Sequence, residues 1–208
     1  MGALEPLMEA LAQEHATLIP GAADLAETLR LRGVKIGSCT GYTRQMMTGV
    51  LPLAAAQGYS PDAVVCAGET SFGRPSPLML WRVLTELEAW PAFACVKVDD
   101  APVGVQEGVA AGTWSVGVAA SGNGVGLGLQ DWLALSETER RSRAQAAAES
   151  LWTAGADFVI DTVADLPAIL DEIERRLAAG ERPGQASLSA RAESLLPVQG
   201  TGGIVESV

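Results

Sequence analysis

Five short apolar, β-branched runs recur along the chain, at residues 34–38, 62–66, 94–98, 114–119 and 157–160, with helical patterns between and after them at 43–57, 76–89, 103–111 and 165–179. Strand and helix alternating in this way imply an α/β fold, with a Rossmann-like parallel sheet covered by helices on both faces. Ligands of such sheets collect at the carboxyl ends of the strands. Two helices precede the first run, at 3–15 and 22–32, the second stopped by Gly33, the residue expected after a last helical turn. A further charged helix is predicted over 136–154. No internal repeat is found.

Three segments with chemical potential fall at or just beyond strand ends. In Val34-Lys35-Ile36-Gly37-Ser38-Cys39-Thr40-Gly41-Tyr42-Thr43-Arg44 an apolar run gives way to hydroxyl residues and glycine and resumes as a helix. Hydroxyls and unpaired N–H groups at a helix start favour an anion such as phosphate. Gly73-Arg74-Pro75 offers a guanidinium on a restricted backbone, suited to clamp that anion. Val96-Lys97-Val98-Asp99-Asp100 ends a strand in two adjacent carboxylates, which repel one another unless a cation or donors compensate; Mg²⁺ is the natural cation. Two have a plainer alternative: Ser38, Thr40 and Tyr42 as helix caps, and Arg74 as an ordinary surface arginine.

Other suggestive segments carry less. Ser121 to Gly128 has glycines at alternate positions, which misses the dinucleotide spacing and predicts a flexible loop. His15, the one histidine, and Asp161, after the last strand, are read as structural.

Composition narrows the classes. With 208 residues and 48% hydrophobic content the chain can bury one sizeable core. A formal charge of −11 argues against a nucleic-acid or anionic-membrane surface and for a cytoplasmic protein, so an anionic substrate needs local basic residues. Cys39, Cys66 and Cys95 lack metal or redox spacing and read as buried thiols of a reducing compartment. No run is long enough for a membrane span, and no basic-then-apolar leader opens the chain. Residues 1–180 are assigned to the core, and the Gly-, Ser- and Pro-containing stretch 181–208 to a disordered or loosely attached tail. A homodimer is compatible with the sequence.

Together GSCTGYTRQMM, the GRP segment and VKVDDAPVGVQEGVAAGTWSVGV resemble the phosphonoacetaldehyde hydrolases of the haloacid dehalogenase superfamily, over about residues 18–177. The resemblance implies a Mg²⁺-binding core, an aspartate that attacks phosphorus, and a cap-domain lysine that forms a Schiff base with the aldehyde. It further implies that Ser38, Thr40 and Tyr42 hold the substrate pocket, that Arg74 clamps the phosphonate, and that Asp100 with Asp99 serves the metal. Some members carry a further aspartate where this chain has Gly104. Two features of the family have no match. The strand bearing the nucleophilic aspartate and the cap both precede the matched region, and the chain's lysines, Lys35 and Lys97, lie inside core strands. On this reading no residue of the chain is catalytic in bond making, and the sequence reads as the C-terminal portion of a longer enzyme. The alternatives are a catalytically dead module binding phosphonate or a partner chain, or another phosphatase or phosphomutase of the superfamily.

The absent strand would run between those ending at Ser38 and Asp99. Those two are therefore expected not to pair, while Ser38, Thr40, Arg74 and Asp100 meet at one carboxyl-edge cleft. Each buried backbone group left unmatched costs about 1–3 kcal/mol, so a gap, or a foreign segment such as the N-terminal helix or the tail, is expected where that strand would run.

Overall fold

The computed structural model describes residues 4–185. Helix α1 (Leu4–Glu14) and α2 (Ala22–Leu31) come first. Five strands follow, β1 (Gly37–Thr40), β2 (Ala63–Cys66), β3 (Val96–Asp99), β4 (Trp114–Val118) and β5 (Phe158–Ile160). They alternate with α3 (Arg44–Ala56), α4 (Leu78–Glu86), α5 (Pro102–Ala111), α6 (Leu129–Ala134) and α7 (Glu137–Thr153), and α8 (Leu166–Ala178) closes the order. All strand pairs are parallel.

Capping chemistry sets the boundaries and displaces one expected strand. Gly33, at φ 71°, ends α2; its N–H bonds the Arg30 carbonyl at 2.9 Å, and the Val34 N–H bonds that of Leu29 at 2.9 Å. This paired arrangement at a left-handed glycine consumes Val34. The Ile36 N–H goes to the Asp62 carboxylate at 2.8 Å, so the regular ladder begins at Gly37 rather than at 34. Strand β1 accordingly runs to Thr40, and Ser38 and Thr40 lie within it. Thr43 caps α3 by accepting from the Met46 N–H at 3.4 Å, while Ser136 and Glu139 cap α7 reciprocally. Pro102 opens α5, and Gly112 at φ 81° closes it.

β4 is buried along its whole length, as a central strand must be. From it Trp114, Val116 and Val118 pack with Phe158, Leu166 and Ile173 on the α8 face. On the opposite face Val105 of α5 packs with Ala147 and Leu151 of α7. Gly117 lets α7 close in, since a Cβ there would meet Leu151 at 2.9 Å. A third cluster, Ala63, Val65, Met79, Val83 and Leu87, seats α4 on β1 and β2.

The sheet is in two pieces, β1-β2 and β3-β4-β5, and β1 and β3 are not hydrogen-bonded to one another. Helices join the pieces. From α2, Arg30 donates to the Ser60 carbonyl at 2.6 Å, whereas Arg32 bonds Asp171 at 3.0 Å and Glu174 at 2.6 Å on α8. From α4, the Trp81 indole donates to the Ala111 carbonyl at 3.3 Å at the end of α5.

Residues 181–185, assigned from the sequence to a loose tail, make defined contacts. Gly184 donates its N–H to Asp157 at 2.7 Å, and the Arg182 guanidinium lies 4.1 Å from the Phe93 ring centroid. These contacts fasten residues 181–185 beneath the sheet's amino edge; 186–208 lie outside the described residues. No helix among the described residues is long and apolar enough to cross a membrane.

Trp114 is fully buried in the three-stranded piece. Trp114→Ala is expected to cost about 3–5 kcal/mol, measured as a lowered urea midpoint. A loss below about 1 kcal/mol would mean this cluster does not govern stability.

Candidate functional site

Thr40 ends β1 and Asp99 ends β3, so both strands deliver their last residues to the same carboxyl edge. Past Thr40 the chain turns sharply. The Tyr42 N–H donates to Thr40 Oγ1 at 3.1 Å, and the Ala67 N–H bonds the Tyr42 carbonyl at 3.0 Å. That second bond ties the loop after β1 to the loop after β2, which carries Arg74.

The guanidinium of Arg74 reaches across the division in the sheet. Its Nη1 lies 3.3 Å from Asp99 Oδ2, and a Cβ at Gly41 would stand only 2.9 Å from its Nη2. Glycine at 41 therefore leaves room for the Arg74 guanidinium close to the loop. Asp99 is held from other sides as well. Lys97 Nζ is 3.1 Å from its Oδ2, and the Ala101 N–H donates to its Oδ1 at 3.0 Å.

Lys97 is the hub of a buried charge cluster. Besides Asp99 it meets Glu107 of α5 at 3.1 Å, and the glutamate side chain is wholly buried. The geometry is that of an ion pair rather than of an aligned hydrogen bond. Burial pushes the Lys97 pKa down, but the carboxylates of Asp99 and Glu107 outweigh it and leave the net shift upward. Its ammonium stays charged. Cys39 stands within electrostatic reach of this cluster, yet burial pushes its thiol up to about 11, which leaves it a neutral, unreactive side chain.

The positions read from sequence divide into two groups. Thr40, Arg74 and Asp99 are brought to the carboxyl edge. Asp100 is half-buried beside them and accepts the Asn123 N–H at 2.8 Å. Gly122 makes room for it, because a Cβ there would fall 2.6 Å from the Asp100 Cβ. Ser38 lies two residues before Thr40, within β1, and burial raises the Tyr59 pKa while the neighbouring Ser38 hydroxyl counters that rise. Tyr42 contributes its backbone, while its ring is exposed. The glycine loop read as flexible has a defined part, the backbone that meets Asp100, and its Ser121 N–H is held by the Asp161 carbonyl at 3.0 Å.

As for a metal, no group of three or more His, Cys, Asp or Glu side chains that could hold one occurs among the described residues. Asp100 fits Mg²⁺, which accepts one or two carboxylates with waters and a phosphoryl-type oxygen. Asp99 does not fit as the resemblance implies, since both its oxygens already take donors. Lys97, Glu107 and Gly41 were not singled out from the sequence. The available signal was a lysine inside an apolar strand, which must find an acid when buried.

A second ion pair braces the loop that carries Arg74. Arg44 Nε bonds Glu69 Oε1 at 2.7 Å, and Glu69 Oε2 accepts the Cys66 N–H at 3.0 Å. The hydrogen bond from Arg44, then that from Cys66, hold the Glu69 carboxyl at about 2, below its ordinary 4.5. A depressed acid stabilises the fold above its unfolded pKa and loses that contribution as pH falls through the folded value. Glu69→Gln is therefore expected to lower the melting temperature at pH 7, with the difference closing between about pH 4.5 and 2. A difference independent of pH would assign the effect to something other than this carboxylate.

Comparisons with known proteins agree in direction. A family model described as haloacid dehalogenase-like hydrolase matches residues 3–112. The phosphonoacetaldehyde hydrolase of Paraburkholderia phytofirmans is 51% identical over 174 residues, covering 84% of this chain and 65% of the relative. That of Klebsiella pneumoniae is 44% identical over 182 residues, covering 87% and 68%. The crystal structure of a phosphonoacetaldehyde hydrolase-like protein from Oleispira antarctica superposes with a TM-score of 0.84 at 44% identity, covering 86% of this chain and 64% of that one. The chain thus spans about two thirds of the length of these proteins.

Proposed function

The chain belongs to the phosphonoacetaldehyde hydrolase family of the haloacid dehalogenase-like hydrolases, and on that footing we propose that its carboxyl-edge site binds the phosphonate of phosphonoacetaldehyde for hydrolysis to acetaldehyde and phosphate. The observation that carries this reading is the fixed guanidinium of Arg74, lying against Gly41 beside the end of β1. A planar fork with one edge anchored presents its remaining N–H groups to a phosphonate in a set direction. The Thr40–Gly41 turn and the start of α3 supply further backbone and hydroxyl groups at the same edge.

Asp100 would hold Mg²⁺, which when bound supplies positive charge to the phosphonate oxygens. Asp99 and Lys97 keep the cluster beneath the site balanced. The three cysteines are unpaired thiols and the chain is acidic, in keeping with a cytoplasmic catabolic enzyme.

Neither lysine is disposed to form an imine with the aldehyde. Lys35 lies at the sheet's amino edge, donating to the Leu87 carbonyl, and Lys97 is a buried ammonium between two carboxylates. These 208 residues alone are therefore expected to bind phosphonate and not to turn it over. Phosphate release from phosphonoacetaldehyde with Mg²⁺, stopped by borohydride, would contradict this.

Binding itself is tested by titrating methylphosphonate into the protein by calorimetry. Arg74→Ala should abolish measurable heat, and Arg74→Lys should retain part of the affinity because the charge survives while the fork is lost. An alanine variant that binds as the parent does would remove Arg74 from the site and the proposal with it.

A further inference from the structure

Two adjacent aspartates close β3, and their side chains do different things. Asp100 meets the backbone of the 121–128 loop, whereas Asp99 turns toward the division in the sheet and takes Lys97 at 3.1 Å and Arg74 at 3.3 Å on one oxygen. Its other oxygen takes the Ala101 N–H at 3.0 Å. A divalent cation at Asp99 would have to displace these donors and sit beside two fixed positive charges.

Helix α5 independently marks the same arrangement. A Cβ on Gly104 would fall 2.0 Å from Asp99 Cγ and 2.0 Å from Oδ2. The carboxylate thus occupies the room that any side chain at 104 would need, and it is held there from below by Lys97. It is only 8% exposed. A group so confined is suited to fixing another group in place.

We infer that Asp99 is a positioning residue for Arg74, belonging to the phosphonate clamp and not to the metal site. It restrains Nη1, so that the opposite side of the guanidinium is held against Gly41 at the mouth of the site. The inference rests on the reading of Arg74 as the phosphonate ligand. An arginine without that anchor must be ordered by the ligand itself, at the expense of affinity. Simple charge counting predicts the reverse, since deleting a carboxylate makes the site more positive. Fixed direction outweighs it here because Lys97 keeps Glu107 as its counter-charge.

The test is calorimetric titration of inorganic phosphate into the full chain and into Asp99→Asn, Arg74→Ala, Gly104→Ala and the Asp99→Asn/Arg74→Ala double variant, with thermal melts to confirm folding. Asp99→Asn is expected to weaken phosphate binding on the order of tenfold, the loss of one charge-assisted contact. The double variant should bind no more weakly than Arg74→Ala, because both changes act on one group. Gly104→Ala displaces the carboxylate with every charge retained and should reproduce the loss; it carries the test if Asp99→Asn does not fold. Phosphate bound equally or more tightly by whichever of these two variants folds, or additive losses in the double variant, would overturn the inference while leaving Arg74 in the site. A parent protein that binds no phosphate would overturn the reading of Arg74, and this inference with it.

Discussion

A single buried ammonium, that of Lys97, is the contact on which the rest of the carboxyl edge depends. It stands between Asp99 at the end of β3 and Glu107 on α5, each at 3.1 Å. Ion pairs of this kind add little net stability, since desolvation offsets attraction, but removing one partner costs about 3–5 kcal/mol because the other charge is stranded. The cluster therefore fixes geometry more than it deepens the native well. It locks α5 onto β3, and through Asp99 it extends this order to Arg74.

That order matters because the sheet supplies none of it between β1 and β3. The two pieces carry separate apolar clusters, one under α4 and the others around β4. Across the junction the contacts are side chains: Arg74 to Asp99 at the top, Arg30 and Arg32 of α2 reaching opposite pieces, and Trp81 bonding the end of α5. These substitute directional polar contacts for a backbone ladder, and the one between Arg74 and Asp99 lies at the carboxyl edge.

Much of this was legible in the sequence, for identifiable reasons. Hydrophobic period and length mark β2, β4 and the helices, because burial on both faces demands continuous apolar runs. The start of β1 was misplaced because Val34 and Ile36, apolar and β-branched as a strand requires, are taken by a helix cap and by Asp62. Arg74 and Asp100 could be picked out by their local setting, a restricted loop and a strand end. The distinct task of Asp99 could not, since adjacent carboxylates look alike in a string and differ only once the strand sends them to different neighbours. The pairing of Lys97 with Glu107 spans a turn and a helix docking that no local pattern encodes.

Gly104 and Asp99 have a consequence for how such a site can change over generations. Here the space that a side chain at 104 would need is filled from position 99. A chain acquiring a side chain at 104 first would drive two groups into one volume. A chain losing the acid at 99 first would leave Lys97 with Glu107 alone and Arg74 unanchored. Neither single step leaves the packing and the charges intact, so substitutions at 99 and 104 are expected to be non-additive, each setting what the other position can hold.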